Sequence, residues 1–263
     1  MSTPWYWPII KPTIGHEAGS GDPYIAMNRN GDGNGLSFGP IQFTQKSSNL
    51  GLLLKRAQAA SPSAFAATFG SGANTLVATT TSSDAGTRMS LPLWQEPWTS
   101  RFVAFGKNPT FRAVIDKVIE TDQHMKAALY ASEVLGITTE RGLALFYDYA
   151  VRGPARVYPA ADAVDAKFGL DGTEIFPDDE VDDTGVIAST YADILQAFAA
   201  EAASHHRRSS RPSDGVWKQV SDGSYHRFSA NGAVDIYQTV KARQNAILNS
   251  TTITDDPLTL PEA

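Results

Sequence analysis

Apolar residues recur at helical spacing along much of the chain. Leu50, Leu53, Leu54 and Ala57 lie three or four positions apart, which predicts an amphipathic helix over 49–60. Further helices are predicted in the middle of the chain and near its end, over 97–105, 109–135, 139–151, 184–208 and 231–248. Gly136 ends the second of the middle helices, and Thr138, Thr139 and Glu140 are suitable caps for the third.

Polar and small residues dominate several other segments. Residues 12–45 are rich in Gly, Asn, Asp and Ser, which predicts loops with short extended pieces such as Leu36–Phe43. Residues 70–92 show no helical period and predict a surface loop or a small hairpin over 75–81. Residues 212–230 predict a further short hairpin. The pattern therefore indicates a mainly α (α+β) fold in two lobes, with a small β-hairpin near the N-terminus.

Composition narrows the class of protein. The chain has 263 residues, 28.3 kDa and 42% hydrophobic residues, enough for one large domain or two small ones. A net charge of −6 argues against a general nucleic-acid binder. The absence of cysteine excludes disulfides, thiolate zinc sites and cysteine nucleophiles. We expect no membrane partner, because no apolar run approaches the roughly 20 residues of a membrane span.

Charged residues cluster towards the second half of the chain. Residues 169–185 are acidic and predict turns. The helix predicted over 184–208 has an acidic start and a basic end, which suits the helix dipole. Its adjacent His205 and His206 point to different helix faces, so they cannot form the i, i+4 pair of a zinc helix. We expect both histidines to be exposed to solvent.

Two carboxylic acids near the N-terminus are candidates for acid–base chemistry. Glu17 precedes a glycine-rich turn, and Asp32 lies between two glycines, 15 residues further on. This separation places them on different elements, from which they could face each other across a groove. Glycosidic cleavage needs such a pair, one acid protonated and one ionised. Spacing alone leaves the ordinary loop role open, since perturbed carboxylates are the rarer case.

Residues 28–34 also resemble a calcium-binding loop, with oxygen-bearing side chains at alternate positions. Only one of those side chains is anionic, and the bidentate glutamate that completes such loops is missing. Asn and Gly are explained more simply as turn residues.

The run from Gly31 to Leu54, GDGNGLSFGPIQFTQKSSNLGLLL, resembles the catalytic hairpin and following helix of lysozyme-like glycoside hydrolases. It looks closest to the family 46 chitosanases and is also similar to bacterial and phage peptidoglycan hydrolases. Further runs are similar to the second-lobe helices of this family: 108–112, 135–138 and 144–153. The resemblance implies a single lysozyme-like catalytic domain over 1–263, with lobe one near 10–60 plus the C-terminal helices and lobe two near 95–170.

The resemblance also assigns roles to individual residues. It implies that Glu17 is the general acid, that Asp32 is the general base and that Ser37 helps to hold the attacking water, which is the inverting arrangement. It implies no metal and no organic cofactor. The candidate substrate-binding residues are Tyr24, Asn34, Gln42, Asn49 and Asp148. For Asp148 a structural role behind the groove stays open beside direct contact.

Two departures from the family bear on the substrate. Asn34 stands where an arginine is common, and Asn49 stands where chitosanases have an aspartate that binds the amine of the substrate. The neutral Asn49 favours an N-acetylated glycan such as peptidoglycan, whereas the acidic net charge favours cationic chitosan. A noncatalytic glycan-binding protein on the same scaffold stays open as a different class.

The sequence also predicts the partners and the location of the protein. We expect a polysaccharide partner, peptidoglycan or chitosan, no nucleic acid, and a monomer. The first ten residues lack the basic and apolar regions of a secretory signal. The protein is nevertheless expected to act outside the cytoplasm or at the cell wall, through a dedicated export route or phage-type release.

Overall fold

The structure is a computed structural model that describes residues 4–17, 21–170, 174–175, 190–229 and 232–260. Its α-helices are α1 (Trp7–Glu17), α2 (Asn49–Ala60), α3 (Pro62–Phe69), α4 (Ala73–Thr80), α5 (Ala85–Arg88), α6 (Trp98–Lys107), α7 (Pro109–Thr121), α8 (Gln123–Leu135), α9 (Glu140–Arg152), α10 (Val157–Phe168), α11 (Thr190–Ser204) and α12 (Ile236–Leu248). Its strands are β1 (Met27–Arg29), β2 (Leu36–Phe38), β3 (Phe43–Thr44), β4 (Arg207–Arg208), β5 (Val216–Gln219) and β6 (Tyr225–Phe228). Among the described helices, none is both long and apolar enough to cross a membrane.

The chain divides into two compact units. We call residues 14–122 the hairpin unit, and residues 1–13 together with 123–263 the helical unit. Within the helical unit, the C-terminal helices pack with 123–170. Arg141 of α9 contributes to this packing. Its guanidinium donates to the main-chain carbonyls of the last two residues of α12 and of two residues that follow it, namely Ile247, Leu248, Ser250 and Ile253. The lobes expected from the sequence stay a prediction.

The hairpin unit contains a three-stranded antiparallel sheet in the order β1–β2–β3. Phe38 of β2 is fully buried, and its ring lies 5.1 Å from that of Phe102 and 5.7 Å from that of Phe105, centroid to centroid. Phe65 and Phe69 extend this aromatic core. Burial of these large rings contributes to the stability of this small sheet.

Helix α4 lies where a loop or hairpin is predicted, so the prediction for 70–92 is wrong. Its buried positions are Ala73, Leu76, Val77 and Thr80, which do follow helical spacing. The period is hard to read because half of this face is alanine and threonine. Thr80 becomes compatible with burial because its hydroxyl donates to the carbonyl of Leu76 at 2.7 Å.

The helical unit contains α8 to α12 and a second antiparallel sheet in the order β4–β6–β5. Helix α9 is its centre, because every residue from Gly142 to Ala150 is buried. A helix buried on all faces needs partners on all sides, and α8, α10, α11 and α12 all contact it.

Local signals predicted several elements correctly. Helix α2 has the predicted bounds, Gly136 adopts φ +64 after α8, and the Thr139 hydroxyl accepts from Gly142 N at 3.2 Å at the start of α9. The hairpin predicted over 212–230 is formed by β5 and β6.

Other boundaries differ from the predictions. The single helix expected over 109–135 is two helices, because Asp122 has extended backbone and Asp favours helix ends over helix interiors. Residues 12–17, expected as loop, continue α1. Within 184–208 the described helix ends at Ser204, and residues 184–189 lie outside the described residues. Most of the acidic stretch 169–185 also lies outside them, and α12 begins at Ile236 instead of residue 231.

Candidate active site

The turn between β1 and β2 is built from Asn side chains and glycines. Asn28 Oδ1 accepts from Gly31 N at 3.1 Å, and Asn30 Oδ1 accepts from Gly35 N at 2.8 Å. Gly33 and Gly35 have φ of +76 and +79, conformations that glycine adopts without strain. These oxygens close the turn on its own backbone, which favours the turn interpretation over a calcium loop.

Asp32 lies exposed at the tip of this turn. Its Oδ1 accepts from Asn34 N at 3.1 Å, and its Oδ2 accepts from Asn34 Nδ2 at 2.8 Å. The main chain and the side chain of Asn34 therefore orient both oxygens of the carboxylate. Each oxygen keeps a lone pair with which it could accept a proton or a further hydrogen bond. The structure thus brings together Asp32 and Asn34, which the sequence proposed as separate site residues.

Ser37 lies on the central strand of the sheet, opposite Asn28 on β1 and Thr44 on β3. Its hydroxyl is 3.2 Å from Thr44 Oγ1, which itself donates to the carbonyl of Gln42 at 3.0 Å. Because the Thr44 proton is used in that bond, Ser37 is the donor of the pair. The lone pairs of Ser37 Oγ are then not used in this bond, and the residue as a whole is 4% exposed.

Sequence reasoning missed Thr44, whose role depends on strand register, and it also missed Gln45. Gln45 is fully buried, and its Oε1 accepts from Leu36 N at 3.1 Å while its Nε2 donates to the carbonyls of Arg88 and Leu91 at 2.7 and 2.9 Å. A Cβ on Gly35 would come within 2.5 Å of Oε1 of Gln45. Gly35 and Gln45 together therefore hold the end of the turn against the last residue of α5 and the segment that follows it.

The other candidate substrate-binding residues of the hairpin unit are partly exposed. Gln42 has φ +54, and its Nε2 donates to the carbonyl of Gly39 at 3.1 Å, so its amide is held within its own turn. Asn49 is the half-buried first residue of α2. Their contacts with a substrate stay predictions.

Tyr24 is held by α7. Its hydroxyl donates to Asp116 Oδ1 at 2.5 Å, and the Arg112 guanidinium lies 4.6 Å from the centre of its ring. Burial, followed by the neighbouring Asp116 carboxylate, raises the pKa of Tyr24 well above its ordinary value. The hydroxyl is therefore protonated at neutral pH, and a role in substrate binding stays a prediction.

Glu17 is the last residue of α1, and its side chain lies outside the described residues. The opposition of Glu17 and Asp32 across a groove therefore stays a prediction.

Asp148 lies in the helical unit and is 1% exposed. Its carboxylate accepts from the Arg243 guanidinium, from Thr13 Oγ1 at 3.1 Å and from Gln244 Nε2 at 3.4 Å. Such burial fits the structural role that the sequence left open and disagrees with direct contact to a polymer. Arg243 and Thr13 were not identified from the sequence, because their meeting with Asp148 depends on tertiary structure.

His205 and His206 are not the exposed helix-end pair that the sequence predicts. His206 is 1% exposed, and its Nε2 is 3.4 Å from Arg156 Nη1; His205 Nδ1 is 2.7 Å from the Tyr149 hydroxyl. The helix ends earlier because Arg207 and Arg208 pair with β6. Burial, followed by the positive charge of Arg156, lowers the pKa of His206 to about 3.

We expect this buried histidine to make the stability of the protein pH-dependent. Unfolded histidine takes up a proton below its ordinary pKa of roughly 6.5, whereas folded His206 stays neutral down to about 3. Its contribution is therefore complete above the unfolded pKa and is lost as the pH falls towards 3. Between pH 7 and pH 5 the free energy of unfolding should fall by roughly 2 kcal/mol through this one group.

Urea denaturation of the protein and of His206→Gln at the two pH values measures this contribution. The variant keeps an acceptor for Arg156 but has no proton to gain, so its stability should fall less. His16→Asn, at an exposed position, serves as the control. An equal pH response in all three proteins would contradict the assignment.

Within the described ranges, no group of three or more His, Asp and Glu side chains is arranged to hold a metal ion.

Comparison with known proteins identifies the fold. No protein-family model matches the chain, and no curated protein sequence matches it. Among solved structures, the native chitosanase from Bacillus subtilis MY002 is similar with a TM-score of 0.56 and 16% identity over 91% of this chain and 85% of that one. The family 46 chitosanase from Gynuella sunshinyii, in complex with chitotetraose, has a TM-score of 0.57 and 16% identity over 94% and 88%. A mutant of the Bacillus subtilis MY002 enzyme in complex with six GlcN units has 17% identity, a TM-score of 0.56 and coverage of 91% and 85%.

These similarities confirm the predicted fold. The chain has a mainly α, lysozyme-like fold that resembles the family 46 chitosanases, with a small N-terminal sheet and a second small sheet.

Proposed function

We propose that this protein is a glycoside hydrolase that cleaves a β-1,4-linked amino-sugar polymer. The observation that carries the proposal is the arrangement of residues 31–44 within this fold. The turn presents the Asp32 carboxylate, held by Asn34, to solvent, and the adjacent central strand carries the buried hydroxyl of Ser37, whose lone pairs are not used in its bond to Thr44. The chitosanase-like fold supports the same reaction class.

In the proposed mechanism Glu17, in its protonated form, donates a proton to the glycosidic oxygen as the bond to the anomeric carbon breaks. Asp32, ionised, takes a proton from the water whose oxygen attacks that carbon, and Ser37 accepts a hydrogen bond from this water. Asn34 keeps the carboxylate in one orientation through its two donors. The reaction would invert the anomeric configuration, which requires carboxyl groups roughly 6.5–9.5 Å apart.

The proposed substrate is an N-acetylated glycan, with the peptidoglycan backbone as the first candidate. Asn34 and Asn49 are neutral where a charged residue is common in chitosanases, so the amine of a chitosan unit lacks its expected carboxylate partner at Asn49. Chitosan is the second candidate, because the similar structures are chitosanases and one of them is bound to chitotetraose.

Mass spectrometry of products from purified peptidoglycan and from chitosan, tested in parallel, decides between the two candidates. We expect muropeptides with a new reducing end from peptidoglycan and little release from chitosan. Proton NMR of the first products should show the α-anomer if the β-linkage is cleaved with inversion.

Glu17→Gln should abolish product release, whereas Glu133→Gln, an exposed glutamate on α8, should leave it unchanged. If the unmodified protein binds the glycan but releases no product, the protein is a noncatalytic glycan-binding protein and not a hydrolase.

A further inference from the structure

A groove of about 1070 Å³ lies in the helical unit between α11, α12 and β4. All of its lining residues belong to this unit, whereas Asp32 and Ser37 belong to the hairpin unit. The volume is slightly above the roughly 300–1,000 Å³ that is common for ligand sites. It is sufficient for several units of a sugar chain, and the proposed mechanism does not use it.

Small residues give this groove its depth. Helix α11 contributes Ala199 and Ala203 to the lining, and they are 7% and 4% exposed. On α12 the adjoining position is Gln244, which is 1% exposed and already turned towards Asp148. Groups that could contact a ligand therefore lie mainly on the rim.

The rim is positively charged. Arg207 and Arg208 on β4 and Lys241 on α12 are all exposed lining residues. Within the described part of the chain, Arg208 donates only to main-chain carbonyls, and Lys241 forms no ion pair. Arg207 pairs with Asp222 at 2.8 Å, but both side chains are about half exposed, so water screens this pair.

The carboxylate of Asp255, which also lines the groove, does not offset the positive charge of the rim. Asp255 accepts from Arg141 at 2.7 Å and from the Tyr191 hydroxyl at 2.6 Å, so its charge is already paired. The rim is thus a cationic patch on a chain with a net charge of −6. Such a patch attracts anions and repels a polycation.

An ordered aromatic ring also lines the groove. Tyr237 packs against the ring of His226 at 4.3 Å, centroid to centroid, and the Arg207 guanidinium lies 5.8 Å from its centre. His226 is fixed in turn by Asp235 Oδ2, 2.7 Å from its Nδ1. A fixed aromatic ring beside exposed amide side chains such as Asn245 suits a ligand with both apolar faces and hydroxyl groups.

We propose that this groove is a second binding site, for a polysaccharide that carries carboxylate or phosphate groups. This second site is separate from the proposed function, and only the choice of a wall glycan as its ligand rests on that function. A second site would hold the protein on an insoluble polymer and raise the local concentration of cleavable bonds. Chitosan, being cationic, would not occupy it.

Co-sedimentation with insoluble peptidoglycan at low salt tests the proposal. The double variant Arg208→Glu with Lys241→Glu should bind about tenfold more weakly or worse, because attraction becomes repulsion. Lys126→Glu with Lys167→Glu is the matched control, since it reaches the same net charge through exposed lysines of the same unit that do not line the groove. The control should bind like the unmodified protein. Neutralisation by Arg208→Gln with Lys241→Gln should give a smaller loss in the same direction.

Three preparations of the glycan identify the anionic group. Persistence of binding after removal of phosphate-bearing polymers assigns the interaction to carboxylates, and its loss assigns it to phosphate. In the third preparation the carboxyl groups are amidated and the phosphate polymers are removed. This glycan should not bind to the groove, and any remaining binding should depend little on salt.

Absence of binding, equal losses in the groove and control variants, or unchanged binding to the fully neutral glycan would overturn the proposal. Hydrolysis of a short soluble oligosaccharide is measured in parallel, and the groove variants should retain it. Groove-dependent binding by a protein that releases no product would leave this inference standing while the proposed hydrolase failed.

Discussion

Asp32→Asn is expected to reduce turnover by about 10²–10⁴-fold, the range usual for loss of a general base. Asparagine keeps the size of the side chain and an oxygen that can accept from Asn34 N, so the turn should be preserved. It cannot take a proton from water at neutral pH. The measurement is kcat for reducing-sugar release from a soluble form of the polymer, together with thermal unfolding to confirm the fold.

A matched control exists in the second sheet. Asp222 is also an exposed turn aspartate, and its Oδ1 accepts from Ser224 N two residues later at 2.9 Å, as Asp32 does from Asn34 N. Asp222→Asn makes the same chemical change at a similar turn, with the loss of an exposed ion pair to Arg207, and should leave kcat unchanged on a short soluble substrate. Near-normal turnover in Asp32→Asn, or equal losses in both variants, would remove Asp32 from its assigned role.

Two further substitutions separate proton transfer from orientation. Asn34→Ala removes one of the two donors that hold the Asp32 carboxylate but leaves the carboxylate in place. Its effect on kcat should therefore be smaller than that of Asp32→Asn, and Ser37→Ala should also reduce kcat while the general base remains.

Local chemistry explains which elements could be predicted. Helix α2 has an uninterrupted apolar stripe, and Gly136 and Thr139 terminate and cap helices through their own backbone and side-chain chemistry. The turn that carries Asp32 is likewise local, since its Asn and Asp side chains accept from backbone N–H groups two to five residues away.

Long-range packing explains what could not be predicted. Helix α4 was missed because its buried face includes Thr80, whose hydroxyl is satisfied only once the helix has formed. Strand β4 lies at the end of a segment for which the sequence predicts a helix, because its pairing with β6 joins residues distant in sequence. Within the candidate site, the register between β2 and β3 places Thr44 opposite Ser37. The position of Gln45 depends on hydrogen bonds to residues more than 40 positions away.

The buried pair Asp148–Arg243 has the largest expected effect on stability. The two side chains are 2% and 6% exposed and join residues 95 positions apart. Arg243→Met should lower the free energy of unfolding by about 3–5 kcal/mol, because it leaves a buried carboxylate without its cation. Thr13 and Gln244 would remain as neutral donors and could not replace the lost charge. Urea denaturation at pH 7 measures the loss.

A second substitution tests the cause of this loss. Asp148→Asn in the Arg243→Met background removes the uncompensated charge and should recover part of the stability, which a simple packing defect would not do. Lys117→Met is the control for an exposed ion pair, since Lys117 bonds to Glu120 at 2.7 Å with its own side chain 71% exposed. That change should cost about 0–1 kcal/mol. An equally small loss for Arg243→Met would show that the Asp148 carboxylate reaches water or another cation, and that the centre of the helical unit is not held by this pair.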